Sequence, residues 1–326
     1  MAIQDLITDY LDMEGYGANL IIKKYCHFPL FLPLPAHLEH GWTGMENAIV
    51  SDLKGASGKG FMLVYSKRRQ QAWKKASKIP VLTMGSPFML FRRMNKINCS
   101  VDAKGTVAFP SHSTLFLESQ FNIDEYCLTL KKLPAKFHPI TVCLLYPDIK
   151  LGRDKVYLKH GFEVVSAGKK LRGSLNFVRN FYSILSKYKY STSNEVGSYS
   201  FYAVELGIPF FLLGEEPTIF NKDNKDPNSK ERSKLSDYPS GRGAIQLFAG
   251  KDREKISSAQ KDFVLEELGI PDMVGSKKLK TALFKNTHSV NYYFVRVPMF
   301  FLMSLAKRIM PTELAYLIFK KLNKGK

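Results

Sequence analysis

The segment YSTSNEVGSYSFYAVELGIPFFLLG, residues 190–214, contains three successive pieces of structure. Small hydroxyl side chains, Asn194 and Gly197 precede a helical stretch rich in aromatics, and such residues cap helices whose first backbone N–H groups lack partners. The Gly-Ile-Pro sequence at 207–209 ends the helix, and the apolar run 210–213 predicts a buried strand. A helix N-terminus also binds phosphate readily, because it carries partial positive charge. Whether this one is an ordinary cap or a phosphate site depends on its surroundings.

Stretches typical of strands and helices alternate on both sides of this segment. In the first part of the chain, strands are predicted within 29–42, 60–66 and 79–84, with basic helices after the last two. From residue 105 onward the alternation is regular; strands are predicted at the start of 105–114, within 138–149 and at 162–168, with helices at 122–133 and 174–188. This order implies parallel sheets covered by helices. We therefore predict an α/β protein with two Rossmann-like, doubly wound domains, joined near residues 95–104.

The composition indicates a globular protein with an anionic partner. Hydrophobic residues make up 45% of the 326 residues, and 48 Lys and Arg against 29 Asp and Glu give a formal charge of +19. This excess favours nucleic acid, an anionic membrane face or phosphorylated substrates. The cysteines form no CxxC pair, so we expect reduced core thiols and a cytoplasmic protein; they are Cys26, Cys99, Cys127 and Cys143. The N-terminus does not resemble a signal peptide, and no apolar run approaches the roughly 20 residues that span a bilayer.

The last third of the chain changes character. Residues 221–243 are polar and rich in Pro and Gly, which predicts a flexible loop or lid. From Asn286 onward the chain holds seven Lys or Arg and one Glu, a local charge of +6. Aromatic and Met side chains interleaved with these bases favour contact with an anionic membrane interface. The alternative is that this tail packs back on the first domain, and we expect both in part.

Three motifs resemble the GT-B glycosyltransferases that build bacterial surface polysaccharides. His138-Pro139 is similar to the HP motif of capsule and lipopolysaccharide enzymes of the sialyltransferase type. Residues 190–214 are similar to the Ser-rich helix start and Gly-x-Pro ending of a GT-B donor domain. Glu39-His40-Gly41 resembles the His-Gly loop of transferases that polymerise teichoic acid. The likeness covers roughly residues 29 to 215.

The resemblance implies a nucleotide-sugar donor used without a cofactor, and a lipopolysaccharide, capsule or lipid-linked saccharide acceptor. It implies an acceptor domain at 1–100, a donor domain at 101–255, and C-terminal helices at 256–326 that pack back on the first domain or contact the membrane. We expect a peripheral enzyme at the cytoplasmic face of the plasma membrane. Many GT-B enzymes have a ribose-binding Glu where this chain has Tyr202, and Glu205 lies near the same helical face. The nucleotide therefore stays open among CMP, UDP, GDP and CDP.

An inverting sugar transfer needs a base for the acceptor hydroxyl and a group that holds the leaving phosphate. His40, at a polar strand end, is the first candidate for the base, because a histidine pKa lies near neutrality. Glu39 is either its orienting partner or the base itself, and alternation along a strand lets only one of the two enter the cleft. The donor-binding candidates are polar or small residues at strand ends and the helix start: His112, Ser113, His138, Ser191, Ser193, Asn194, Gly197, Ser198 and Glu205. A DxD pair in suitable context does not occur, so we predict that no metal is required.

Two other functions fit parts of the sequence. A polyol-phosphate transferase of the CDP-glycerol type shares the fold and the His-Gly loop. A basic nucleic-acid-binding protein would explain the charge and the run SKRRQQAWKK at 66–75. The second alternative lacks the signature of an RRM, KH, helix-turn-helix or zinc-finger domain.

Overall fold

The computed structural model describes residues 15–113, 117–169, 174–221, 232–250, 252–288, 292–298 and 300–302. The fold is α/β and contains two parallel sheets, which confirms the predicted class. In chain order the strands are β1 (His37–Leu38), β2 (Met62–Val64), β3 (Val81–Thr83), β4 (Thr106–Ala108), β5 (Leu117–Gln120), β6 (Ile140–Cys143), β7 (Glu163–Val165), β8 (Tyr190–Ser193), β9 (Phe210–Leu212), β10 (Thr218–Asn221) and β11 (Arg232–Ser233).

The helices alternate with the strands of the parallel sheets. In the first half they are α1 (Ala18–Tyr25), α2 (Val50–Lys59), α3 (Lys67–Ala76) and α4 (Pro87–Met94). In the second half they are α5 (Ile123–Lys131), α6 (Tyr146–Lys150), α7 (Asp154–Lys159), α8 (Asn176–Leu185), α9 (Ser198–Glu205) and α10 (Pro239–Phe248). Two more, α11 (Ser258–Glu267) and α12 (Ser276–Asn286), follow.

The first sheet contains β1, β2 and β3 in that order, all parallel. β1 is much shorter than the strand predicted within 29–42. The prolines at positions 29, 33 and 35 have no N–H to donate to a ladder, so the chain before His37 is irregular. After β2, the Ser66 side chain accepts a hydrogen bond from the Arg69 N–H and so caps the basic helix α3.

The second sheet is parallel and has the order β7-β6-β4-β8-β9. This is the order of a doubly wound sheet, in which the chain winds outward in one direction and then reverses from the central strand. Its strands are almost entirely apolar or small, as expected for strands covered on both faces. The division of the chain into the two domains of a GT-B enzyme remains a prediction.

A third, antiparallel sheet was not predicted. β10 pairs with β5 on one side and with β11 on the other. β11 and the start of α10 fall inside 221–243, for which we had expected only a flexible loop. Pro239 is the first residue of α10, where its missing N–H costs nothing and its fixed φ suits a helix. Residues 222–231 of that loop lie outside the described residues.

One apolar core joins the two halves of the chain. It brings Phe88 of α4 together with Phe177 and Phe181 of α8 and with Phe201 of α9. The Phe88 ring stacks on Tyr202 of α9 with a centroid distance of 5.0 Å. Because these side chains come from both halves, neither half buries its apolar surface alone.

The C-terminal helices cover the first sheet. Leu279 and Leu283 of α12 pack with Ile22, Phe61 and Leu63 in a second cluster beneath that sheet. Within the residues that the structure describes, no helix is long and apolar enough to cross a membrane. The cysteines are all free thiols, three of them buried and Cys99 half-buried.

We expect Phe88→Ala to destabilise the protein by about 3–5 kcal/mol, because it removes a buried ring that contacts both halves. Chemical denaturation followed by circular dichroism and by tryptophan fluorescence measures the loss. The two probes should report one shared transition. The matched control is Phe294→Ala, which changes a ring that is 77% exposed and should stay within about 0.5 kcal/mol of wild type. Two separate transitions in the wild type would contradict a shared core.

Candidate active site

The second sheet has one topological switch point, between β4 and β8. β4 pairs with β6 on one side and with β8 on the other, so the connections leave it in opposite directions. In open parallel sheets, ligands bind outside the carboxyl ends of the strands at such a point. We therefore expect the loops that follow β4 and β8 to line a ligand-binding site.

Hydrogen bonds join these two loops. The Ser111 N–H donates to Asn194 Oδ1 at 2.8 Å, and the Ser111 hydroxyl donates to Glu195 Oε2 at 2.6 Å. The Ser119 hydroxyl from β5 donates in turn to Ser111 Oγ at 2.8 Å. His112 lies half-buried in the same loop, next to these contacts. The predicted candidates His112 and Asn194 are thus brought together at the switch point.

Glu195, which sequence reasoning did not select, has an unusual environment. Burial raises the pKa of its carboxyl to about 7, although the hydrogen bond from Ser111 opposes the shift and Glu216 adds to it. No basic side chain forms an ion pair with Glu195 among the described residues. A half-buried acid with a pKa raised to near neutrality at a sheet's switch point is a typical mark of a functional site.

A cavity opens beside these loops. Its volume is about 230 Å³, and it lies between the ends of β8 and β9 on one side and α10 on the other. Its polar lining residues are Asn194, Glu195, Glu216 and Arg253. The remaining lining is mostly aliphatic and includes Leu212, Leu213, Leu235, Ile245 and Ala249.

The first half of the chain reaches the start of α9. Gly197 is the N-cap of α9 and Ser198 its first residue. The Trp42 N–H donates to Ser198 Oγ at 3.1 Å, and a side chain at Gly41 would approach the same oxygen. His40 precedes Trp42 by two residues, so their Cα atoms are at most about 7.6 Å apart. The His-Gly loop and the helix start therefore face each other.

His40 belongs to a cluster of two histidines around one carboxylate. Its imidazole is 68% exposed, and its Nδ1 lies 2.6 Å from Asp52 Oδ1. His37 Nε2 lies 3.0 Å from the same oxygen, and the His40 N–H donates to Asp52 Oδ2 at 3.2 Å. Burial alone would raise the pKa of Asp52, but the bonds from His37 and His40 lower it to about 2. Asp52 is therefore a buried anion that orients His40.

Neither Asp52 nor His37 was selected from the sequence. Asp52 lies in the first turn of α2, twelve residues after His40, and no local pattern connects them. The sequence feature that points to this cluster is the pair of histidines at 37 and 40, followed by an acidic residue at the start of a helix.

Glu39 is corrected as a candidate base. Its side chain is buried, and its Oε1 accepts hydrogen bonds from Arg69 Nε at 2.5 Å and from Trp73 Nε1 at 3.2 Å. Arg69 also donates to the backbone carbonyls of Met45 and Asn47. Glu39 therefore holds the loop, whereas the imidazole of the adjacent His40 stays exposed.

Four donor-binding candidates lie away from any crevice or have their polar groups occupied. Ser191 and Ser193 are fully buried within β8; Ser191 donates to the Pro209 carbonyl, and Ser193 pairs with the Tyr199 hydroxyl. Ser113 accepts from the Ser119 N–H. His138 lies at the opposite edge of the sheet, before β6, and its Nε2 bonds the Leu133 carbonyl at 3.0 Å. These positions correct the expectation that all four hold the donor.

Glu205 is corrected as well, and its actual role is structural. It ends α9 and accepts hydrogen bonds from Arg92 at 2.7 Å and Arg93 at 3.0 Å on α4. A carboxylate whose oxygens contact two guanidinium groups is not available to a ribose. It ties the far end of α9 to the first half.

A second acidic residue fixes the loop that carries His40. Glu267 at the end of α11 accepts from Trp42 Nε1 at 2.7 Å and from both Nε and Nη2 of Arg68 at 2.8 Å. Arg68 donates further to the carbonyls of Thr43 and Met45. The loop after His40 is thus held by side chains rather than by strand pairing.

The comparisons with known proteins assign neither a family nor a function to this chain. No protein-family model matches the chain, and no curated protein is significantly similar to it.

Among the described residues, no three His, Cys, Asp or Glu side chains come together in the way that a metal ion would need. Metal independence remains a prediction.

We expect Asp52→Asn to lower the free energy of unfolding by about 2 kcal/mol at pH 7, because a folded pKa near 2 lies below the unfolded value of about 3.9. The contribution of Asp52 is complete above pH 4 and is lost as pH falls toward 2. The difference between wild type and variant should therefore shrink over that range. Urea titrations at several pH values measure it.

The control for this titration is Asp124→Asn, which breaks a histidine–aspartate pair whose acid is 67% exposed. It should change stability by less than about 0.5 kcal/mol. An effect of Asp52→Asn that is the same at pH 7 and pH 2 would contradict the assigned charge.

Proposed function

We propose that the protein is a glycosyltransferase that moves a sugar from a nucleotide-sugar donor to a surface-polysaccharide acceptor. The observation that carries the proposal is that the loop of the exposed His40, which is oriented by buried Asp52, contacts the start of α9 through Trp42, beside the switch point of the second sheet. A base and an anion-binding helix start on opposite sides of one cleft suit the transfer of a group from a phosphate to an alcohol.

His40 is the proposed base. It accepts the proton of the acceptor hydroxyl as that oxygen bonds to the anomeric carbon. Asp52 keeps the imidazole in position and stabilises the imidazolium that forms, since its own charge is buried and fully ionised at neutral pH. Inversion at the anomeric carbon follows from a single displacement.

The start of α9 is the proposed holder of the leaving phosphate. Gly197 adopts an extended conformation with φ −143°, and the space that a side chain would take there is filled by the Tyr199 ring, so only the backbone N–H groups of the helix start are proposed to contact the phosphate. His112 and Ser111 lie in the loop opposite. The nucleotide stays open among CMP, UDP, GDP and CDP, and we propose that neither a metal nor another cofactor takes part.

We also propose that the enzyme works at an anionic membrane surface. Tyr292 donates to the Pro33 carbonyl at 2.7 Å, which ties the tail to the loop that carries Phe31. Phe31 on that loop and Phe294, Phe301 and Leu302 on the tail expose apolar side chains, with 57% of Phe31 and 77% of Phe294 accessible, and we propose that they form one patch. The basic side chains of the tail complement an anionic lipid surface.

We expect His40→Ala to reduce sugar transfer at least a hundredfold while the affinity for the nucleotide stays within twofold, because only the base is lost. Thermal-shift screening of the four nucleotides identifies the donor class, and product release from the matching nucleotide-sugar measures turnover. His160→Ala is the control, since it removes a histidine from another His–Asp pair. Full activity in His40→Ala, or no turnover of any nucleotide-sugar by the wild type, would refute the proposal.

For the membrane contact, the double variant Phe294→Ser, Leu302→Ser should bind vesicles that contain anionic phosphatidylglycerol at least tenfold more weakly, because two exposed apolar groups no longer enter the interface. Co-sedimentation with vesicles measures the binding. The matched control is Val101→Ser, a fully exposed apolar residue outside the patch. Equal binding of the wild type to neutral and anionic vesicles would contradict the proposed attraction between the basic tail and anionic lipid.

A further inference from the structure

Two neighbouring residues in the cavity between β8, β9 and α10 have unmet hydrogen-bonding capacity. Asn194 is 3% exposed; its Oδ1 accepts from Ser111, and its Nδ2 has no partner. Glu195 accepts from the Ser111 hydroxyl through Oε2, and its Oε1 has no hydrogen bond from a described side chain. An unpaired buried donor in a native structure requires an explanation, and a ligand provides one.

We infer that this cavity binds the transferred group of the donor, a neutral sugar recognised through vicinal hydroxyls by Asn194 and Glu195. This inference rests on the proposed function and specifies its substrate. Each hydroxyl can both donate and accept. One hydroxyl of the pair donates to Glu195 Oε1 while its neighbour accepts from Asn194 Nδ2.

The size and lining of the cavity suit such a group. A volume of about 230 Å³ equals that of roughly eight water molecules, which accommodates one sugar ring but not a whole nucleotide. Leu235 and Ile245 of the opposite wall offer apolar contact to the C–H face of a ring. The combination of a few polar groups with an aliphatic wall is typical of small-molecule sites.

The charges around the cavity favour a neutral sugar over an acidic one. Glu195 and Glu216 face it with two carboxylates, and Arg253 offers one guanidinium. Glu216 is held by the N–H and hydroxyl of Ser236, both at 2.7 Å. Arg253 lies over the Phe211 ring at 5.2 Å. Above neutral pH a carboxylate on the ligand would therefore meet a net negative wall.

The same surroundings make the contact depend on pH. Ser111, Glu216, Arg253 and Tyr199 are the polar, titratable and charged groups that face Glu195 from the neighbouring elements. Because burial raises the pKa of Glu195 to about 7, its carboxylate accepts from a sugar hydroxyl at pH 8 and is mostly protonated at pH 6. If Glu195 only supported the loop, its protonation would not change the affinity for the sugar.

The test compares wild type, Glu195→Gln and Glu215→Gln by calorimetric titration of the full chain at pH 6 and pH 8. Glu215 is exposed, directly precedes Glu216 and is absent from the cavity wall, so its variant is the matched control. The ligands are the free nucleotide that gives the largest thermal shift, its neutral hexose conjugate and its uronic-acid conjugate. Melting temperatures establish that each variant is folded.

We expect Glu195→Gln to weaken binding of the neutral conjugate about tenfold at pH 8 and less at pH 6, with the affinity for the free nucleotide within twofold of wild type. Wild type should prefer the neutral conjugate to the acidic one. Equal losses for nucleotide and conjugate, no loss at all, or a preference for the acidic conjugate would overturn the sugar subsite alone. A wild type that binds none of the nucleotides overturns the proposed function as well.

Discussion

The contacts of one short helix, α9, organise this structure. α9 belongs to the second half of the chain, where it follows the switch-point strand β8, and side chains and backbone of the first half bind it along its length. At its start Ser198 accepts from Trp42, in its middle the Tyr202 hydroxyl pairs with Ser86, and at its end Glu205 binds Arg92 and Arg93. The partners all lie in the first half. Because three separate contacts fix the helix, its N-terminus is held against the loop that carries His40.

Buried ion pairs hold the loop that carries His40 in this position. Glu39 and His40 are adjacent, yet one is buried against Arg69 and Trp73 while the other is exposed and oriented by Asp52. Removing one partner from a buried pair leaves an uncompensated charge, which costs far more than a surface pair is worth. The pairs Glu39–Arg69 and Glu267–Arg68 therefore tie a loop with little strand pairing to α3 and α11. Glu195 differs from both, because it lies beside a cavity and forms no ion pair within the part of the chain that the structure describes.

Much of the architecture could be predicted from local patterns. The apolar runs of β2, β4, β6 and β9 and the glycine and proline at 207–209 suffice to indicate alternating strands and helices. β8 was not predicted, because its sequence YSTS has no apolar run. The antiparallel sheet could not be predicted, because β5, β10 and β11 are short and half-polar and pair only through distant partners. Within the candidate site, His40, Asn194 and the start of α9 were found from their place at strand ends. Asp52, His37 and Glu195 were missed, since what distinguishes them is their neighbours in space.

The sequence by itself determined the class of fold, the helix and the following strand within 190–214 and the basic character of the chain, because periodicity, capping residues and charge act over a few residues. The tertiary structure decided which polar residues face the cleft. Ser191, Ser193, His138 and Glu205 have the right chemistry, but strand pairing, sheet polarity and ion pairs use them elsewhere. Burial and pairing depend on residues far apart in the chain, and they set which side chains remain available to a ligand.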